Sequence, residues 1–235
     1  MQERISLQPA FVLHSRPFRE SSLLVDLLTP DYGRVGVVAR GARAQQSRYR
    51  GHLRPFVPIL ASWSGRSELG SLNQVEPGGS PLLLEGRSLL AGMYLNELLV
   101  RLLHQHDSQP EIFQQYQQTL NALNEGNIQN IEPILRRFEK AFLVALGFGF
   151  SWTQATDTLA PIMPTQQYAF DPDLGFCEKL PTFNQQPVFS GAHLIAIAAN
   201  DFENVDVLRT AKKIMRIAMQ LRLGHRVIKS RELFI

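Results

Sequence analysis

Between Tyr32 and Ser67 the chain carries Arg34, Arg40, Arg43, Arg48, Arg50, Arg54 and Arg66 and no acidic residue. A planar guanidinium makes paired hydrogen bonds to phosphate that an ammonium cannot, so an all-arginine window without carboxylates has the chemistry of phosphate recognition. Tyr49 and His52 interleave with the arginines in Ser47-Arg48-Tyr49-Arg50-Gly51-His52, offering faces on which unpaired bases stack. A solvated basic loop without a partner is the plainer reading of the same residues. A second basic group lies near the C-terminus, where Arg209, Lys212, Lys213 and Arg216 are spaced to share one helical face. Leu208, Ala211, Met215, Ala218 and Met219 form an apolar stripe beside it, and Lys229 and Arg231 follow in the tail. Like charges on adjacent turns repel by a few tenths of a kcal/mol per pair, in the range of about 0.2–0.5. A phosphate backbone or an acidic peptide would relieve that repulsion, and so would water.

A third group is Leu135-Arg136-Arg137-Phe138-Glu139, a basic pair beside large apolar residues. On its own it reads as a surface Arg137 paired with nearby acids. The functional reading is a pocket formed by Arg136, Arg137 and Phe138 for an acidic, aromatic peptide end, with arginine gripping a carboxylate.

Catalytic constellations are poor. His104 and His106 are two residues apart, so on a helix they face different ways, and a solvated helix end is expected there. Asp171-Pro172-Asp173 before Gly175 reads as a turn that lacks the further carboxylates of a calcium loop. Gly147-Phe148-Gly149 closes a helix rather than opening one, so it does not form a dinucleotide-binding loop. The chain has no phosphate-cradling Gly-Lys-Ser/Thr loop and no Gly-x-Ser-x-Gly elbow. Cys177 is the single cysteine, which excludes an intrachain disulfide and any zinc site needing two thiolates. The expectation is a protein without enzymatic activity, metal or cofactor.

These groups must be held by some scaffold. A chain of 235 residues with 44% hydrophobic content has enough apolar surface for a real core. Its formal charge of +3 divides into +4 over residues 1–80, −8 over 81–208 and +7 over 209–235. That is the distribution of a polyanion binder whose middle is not the binding surface. No signal-peptide pattern and no apolar run near the ~20 residues of a membrane span are seen, so a soluble, cytoplasmic protein is expected.

Short β-type runs occupy residues 10–14, 23–28, 34–39, 56–63 and 69–75, with turns between them. Five short strands in about eighty residues suit a small closed barrel. Residues 40–55 are too long a connection for a plain hairpin. At Pro77-Gly78-Gly79-Ser80-Pro81 the pattern changes, which sets a boundary between residues 1–80 and 81–235. Beyond it three- and four-residue steps predict helices through Leu89–Leu102, Ile112–Leu123 and Leu135–Leu146. Further helices start after Ser190 and near Val205, the last ending at Gly224. The segment 148–189 reads as irregular, with at most a short hairpin around 168–177. The fold class is therefore α+β, an N-terminal barrel followed by an all-α C-terminal domain with an irregular insertion.

The order of motifs resembles the RecO family of DNA repair proteins. The resemblance is carried by Phe11-Val12-Leu13-His14-Ser15-Arg16-Pro17, Gly33-Arg34-Val35 leading to Ala39-Arg40-Gly41-Ala42-Arg43, and Tyr94-x-Asn96-Glu97-Leu98-Leu99. It continues in Leu135-Arg136-Arg137-Phe138-Glu139, Leu146-Gly147-Phe148-Gly149, Ala211-Lys212-Lys213 and Lys229-Ser230-Arg231-Glu232-Leu233. It implies an OB-fold barrel over residues 1–80 and a helical domain over 81–235. It also implies a recombination mediator that binds single- and double-stranded DNA and anneals complementary strands coated with single-stranded DNA-binding protein. Such a mediator works with RecR and, indirectly, RecA, which it helps to load, and it is nucleoid-associated in the cytoplasm. Docking of the acidic C-terminal tail of the coating protein at Arg136 or Arg137 is implied as well, which favours the peptide-pocket reading. Many members hold zinc with two Cys-x-x-Cys pairs, whereas here Leu180 stands three residues after Cys177, so no zinc is expected, and packing of Phe170, Phe176 and Phe183 is expected in its place. The competing readings are an RNA-binding OB module in RNA processing or translation, and a nuclease or phosphotransferase, which would need clustered carboxylates.

Overall fold

Alternation of Val25 and Leu27 on one strand, and of Val35, Val37 and Ala39 on the next, sends every second side chain to the same side. A sheet with one such apolar face must bury it, and here it does so by closing on itself. The computed structural model describes residues 4–65, 69–126, 131–148, 150–178 and 186–234, which form two compact units, 1–131 with 226–235 and 132–225.

In the first unit five strands form a closed barrel: β1 (Arg4–Phe18), β2 (Ser22–Thr29), β3 (Gly33–Ala39), β4 (Pro58–Ser64) and β5 (Leu69–Pro77). Their order is β1-β2-β3-β5-β4, with β1 also pairing β4. The β3–β5 pair is parallel, with Val37 opposite Gly70, and the other four pairs are antiparallel. The barrel is filled by Val12, Val25, Leu27, Val35, Val37, Ile59, Trp63 and Leu72, joined by Tyr49 and Leu53 from the long connection. Strand β1 is longer than the expected run 10–14, because its two halves pair with different neighbours across register shifts.

Helices α1 (Gly86–Leu102) and α2 (Pro110–Glu125) belong to this same unit. Asn96 on α1 donates from Nδ2 to the Leu13 carbonyl of β1 (3.0 Å). The Phe11 ring meets Tyr116 of α2 edge-on at 5.3 Å. Helix α1 ends before His104 and His106, and both imidazoles are exposed, as a solvated helix end requires. The connection that follows packs on the β2–β3 turn so closely that a Cβ on Gly33 (φ +60°) would overlap the Asp107 carbonyl. A C-terminal 3-10 turn (Lys229–Phe234) closes the unit, its Lys229 and Ser230 amides donating to the Glu97 carboxylate at 3.0 and 2.8 Å.

The second unit contains α3 (Ile131–Ala145) from Glu132 onward, α4 (Gly191–Ala198) and α5 (Val205–Leu223). The hairpin expected near residues 168–177 is present as β6 (Gln167–Asp171) and β7 (Gly175–Cys177). A third strand, β8 (Val188–Ser190), joins it on the other edge of β6. The turn between β6 and β7 is an Asx turn in which Asp171 Oδ1 accepts from the amides of Asp173 and Leu174. Lys140 of α3 caps the end of α4, donating to the carbonyls of Ile197 (2.9 Å) and Ala198 (2.6 Å). Gly147 (φ +82°) ends α3 in a left-handed conformation, and Ser190 precedes α4 without a side-chain cap bond.

Candidate nucleic-acid interface

Residues 40–55 are not a loose strap. They run through successive tight turns, with Ala44 bonded to Gly41, Ser47 to Ala44, Arg50 to Ser47 and His52 to Tyr49. Two side chains fasten this staircase to the barrel. Tyr49 is 3% exposed and donates from its hydroxyl to the Leu72 carbonyl of β5 (2.9 Å), and Leu53 is buried near it. The expectation that Tyr49 presents a stacking face is thereby corrected. Its ring completes the barrel core, because burying an aromatic and satisfying its hydroxyl stabilises more than leaving it in water. The arginines around it keep their charged heads in water, and Arg40, Arg43, Arg48, Arg50 and Arg54 are all exposed. Arg48 folds over the Tyr49 ring (4.9 Å to the centroid) and bonds its hydroxyl at 2.8 Å.

Arg34 differs from the others. Its guanidinium is paired with Asp26 at 2.9 Å and donates from Nε to the Leu103 carbonyl (3.2 Å). It is a half-buried strut between β3 and the end of α1 rather than a free phosphate ligand. Arg66 lies outside the described residues.

In the second unit α5 buries Val207, Ala211, Ile214, Met215, Ala218, Met219 and Leu223, which leaves Arg209, Lys212, Lys213 and Arg216 on the exposed face. The stripe expected from sequence is present, although Leu208 is only half-buried and Ile214 is fully buried. Arg209 pairs with Asp206 (2.9 Å) and Lys212 with Glu132 (3.0 Å). Exposed pairs of this kind contribute about 0–1 kcal/mol, so a phosphate can displace them. Lys213 lies over the Phe189 ring at 5.6 Å. Lys229 and Arg231 belong to the first unit, with Arg231 over the Tyr94 ring at 5.7 Å.

The proposed peptide grip needs a sharper correction. Arg136 is 4% exposed and ion-paired with Glu139, itself 2% exposed, at 2.9 Å; Phe138 is 1% exposed. Glu132 lies at 3.9 Å from the same guanidinium. Arg136 and Phe138 are core residues on the inner face of α3, where the guanidinium is paired with the carboxylate three residues on. Of the three, Arg137 alone reaches solvent, with its guanidinium 5.8 Å from the Phe202 ring.

The segment where the resemblance places the zinc of many members contains an aromatic cluster. Phe170 and Phe176 are 4.9 Å apart, with Phe150, Trp152 and Phe189 around them. Gly175 (φ +106°) lies so close to Phe150 that an added Cβ would stand 2.5 Å from the Phe150 Cβ. Phe183 and Leu180 lie outside the described residues. Burial, with Asp157 and Asp171 nearby, pushes the half-buried Cys177 thiol up. A single thiol beside phenylalanines does not supply the ligand set of a zinc site, and no metal-binding cluster of His, Cys, Asp or Glu occurs among the described residues.

Arg16 and Arg19 were missed from sequence. The β1–β2 register places them at the same end of the barrel as the staircase, and both are exposed.

A family model for the Recombination protein O N terminal region matches residues 1–80, and one for the Recombination protein O C terminal region matches 84–232. The chain belongs to the RecO family. It is 45% identical over 235 residues to the DNA repair protein RecO of Coxiella burnetii (strain RSA 331 / Henzerling II), with 99% of each chain covered. It is 43% identical to that of Cellvibrio japonicus over 231 residues, 98% of this chain and 97% of the relative. With the relative from Marinobacter nauticus it shares 40% over 235 residues, 100% of this chain and 96% of the other. The RecO resemblance read from motifs is thus the family found by comparison, and the closed barrel followed by helices is the expected architecture. Among the described residues no helix is long and apolar enough to cross a membrane.

Proposed function

We propose that this protein is a DNA repair and recombination mediator that works without making or breaking a covalent bond. It binds single- and double-stranded DNA, anneals complementary strands coated with single-stranded DNA-binding protein and, with RecR, promotes RecA loading. The observation that carries the reading is the staircase of exposed arginines, Arg40, Arg43, Arg48, Arg50 and Arg54, pinned to a closed barrel by Tyr49 and free of carboxylates. The exposed face of α5 supplies a second cationic surface. Two such surfaces neutralise two strands at once and lower the repulsion that keeps complementary bases apart. Arg137, the exposed member of its group, is the cation offered to the acidic tail of the coating protein.

The test is annealing of complementary strands coated with single-stranded DNA-binding protein, followed with end-labelled fluorophores. The wild-type chain accelerates annealing, and replacing Arg43, Arg48 and Arg50 together by Ala removes most of the acceleration. An unchanged rate in that variant would defeat the barrel's part in the reading. Clean DNA cleavage with magnesium or manganese would replace the reading with an enzymatic one.

A further inference from the structure

The turn between β1 and β2 is stitched to the start of the arginine staircase. The Arg43 amide donates to the Ser21 carbonyl (2.8 Å), and the Arg43 guanidinium reaches the Arg19 carbonyl from Nη1 (3.3 Å). Arg19 takes a left-handed conformation (φ +53°) that turns the chain, and its guanidinium lies over the Phe18 ring at 5.2 Å. Two residues earlier than Phe18, Arg16 stands opposite Leu24, which in turn stands opposite Val38. Cross-strand partners share a face, and Val25 and Val37 on the alternate face are buried in the barrel. Arg16 is therefore on the outer face, on a row that reaches β3 two residues before Arg40. Arg16, Arg19, Arg40 and Arg43 are exposed, and among the described residues none of them is ion-paired, unlike Arg34. The nearby acid is Glu20, exposed at the turn. Of the rings nearby, Tyr49 is buried, Phe18 is half-buried beneath the Arg19 guanidinium, and His52 is half-buried further along the staircase.

From these facts we infer that Arg16 and Arg19 of the β1–β2 turn form, with Arg40 and Arg43, a cationic rim that holds the sugar–phosphate backbone of a DNA strand without stacking on its bases. The inference rests on the DNA-binding reading and adds both residues and a mode. Guanidinium groups at one end of a barrel, where Tyr49 is buried and Phe18 lies under Arg19, recognise charge and oxygen geometry and are indifferent to the base.

The experiment uses the full chain and two probes, oligodeoxythymidine and an abasic oligomer of equal length, with affinity measured across salt. In Arg16→Ala/Arg19→Ala two phosphate contacts are lost. The slope of log K against log salt becomes shallower by about 1.4, and affinity at 0.1 M salt falls roughly 25-fold. The loss is equal for the two probes. In Glu20→Gln one repulsive charge is removed and affinity rises about two- to threefold, the scale of a single exposed charge pair. Thermal melting of both variants controls for folding. An unchanged slope and affinity in the double variant, beside normal wild-type binding, overturns the rim alone. A loss confined to oligodeoxythymidine overturns the backbone mode. Failure of the wild-type chain to bind either probe brings down the DNA-binding reading and the rim with it.

Discussion

The Tyr116 hydroxyl donates to Asn96 Oδ1 over 2.6 Å, in the interior between α1, α2 and β1. Since Asn96 also donates to the Leu13 carbonyl, one short chain of hydrogen bonds ties both helices to the barrel strand. Burial pushes the phenol far above its ordinary range, so Tyr116 remains a donor at every working pH. Tyr116→Phe leaves a buried amide oxygen unpaired and is expected to cost about 1–3 kcal/mol. Urea unfolding of the variant checks this, and a midpoint equal to wild type would show that the bond contributes nothing net.

The Arg136–Glu139 pair makes a different prediction. Removing one partner strands a buried charge, so Arg136→Met is expected to destabilise by about 3–5 kcal/mol. Arg136→Met/Glu139→Leu, which removes both charges, recovers most of that loss. Arg137→Ala, at the surface, leaves the unfolding midpoint near wild type and weakens capture of an acidic peptide ending in an aromatic. If the two arginines behaved alike in unfolding, the assignment of inner and outer residue would be wrong.

Tyr49 separates packing from recognition. Tyr49→Phe loses the hydrogen bond to the Leu72 carbonyl and is expected to cost about 1 kcal/mol, with little change in DNA affinity. A phenylalanine ring stacks as well as a tyrosine, so Tyr49→Leu is the sharper test. It too alters stability far more than the ratio of affinities for base-bearing and abasic strands. A large change in that ratio would restore the stacking role expected from sequence.

Glu97 gives the C-terminal turn a pH dependence. Burial works to raise its pKa, but hydrogen bonds from Ser230 and Lys229, with the charge of Arg101, outweigh this and hold it below the ordinary 4.5. A depressed carboxylate pKa contributes stability that is fully present above the unfolded value and is lost as pH falls through the folded one. The turn is therefore docked at neutral pH and released below the ordinary carboxylate range. The protection of the Lys229 and Ser230 amides from hydrogen exchange, relative to the intrinsic rate at each pH, should fall in acid, and Glu97→Gln should lower it at pH 7. Protection that is insensitive to both would place the anchor elsewhere.

If about five phosphates are contacted on a single strand, log K falls with log salt at a slope near −3.5. A flat dependence would exclude an electrostatic mode for either cationic surface.

Periodicity and composition alone determined much of this protein. Alternating Val25, Leu27, Val35 and Val37 specified strands, and three- and four-residue steps through Leu98 and Leu102 specified a helix, because both patterns are properties of neighbours along the chain. Segregated arginines were equally legible, since charge needs no fold to be counted. The tertiary structure decided which side chain of an adjacent pair turns inward. Arg136 and Arg137 differ by about 100° around α3, and only the packing of the second unit makes one a core residue. Tyr49 and Arg48 are parted in the same way by closure of the barrel, which offers the Leu72 carbonyl to one and water to the other. Partners far apart in sequence were hidden for the same reason: β8 beside β6, Lys229 and Ser230 on Glu97, and Arg43 on the carbonyls of Arg19 and Ser21. Each depends on segments brought together by burial of apolar surface, which no local pattern encodes.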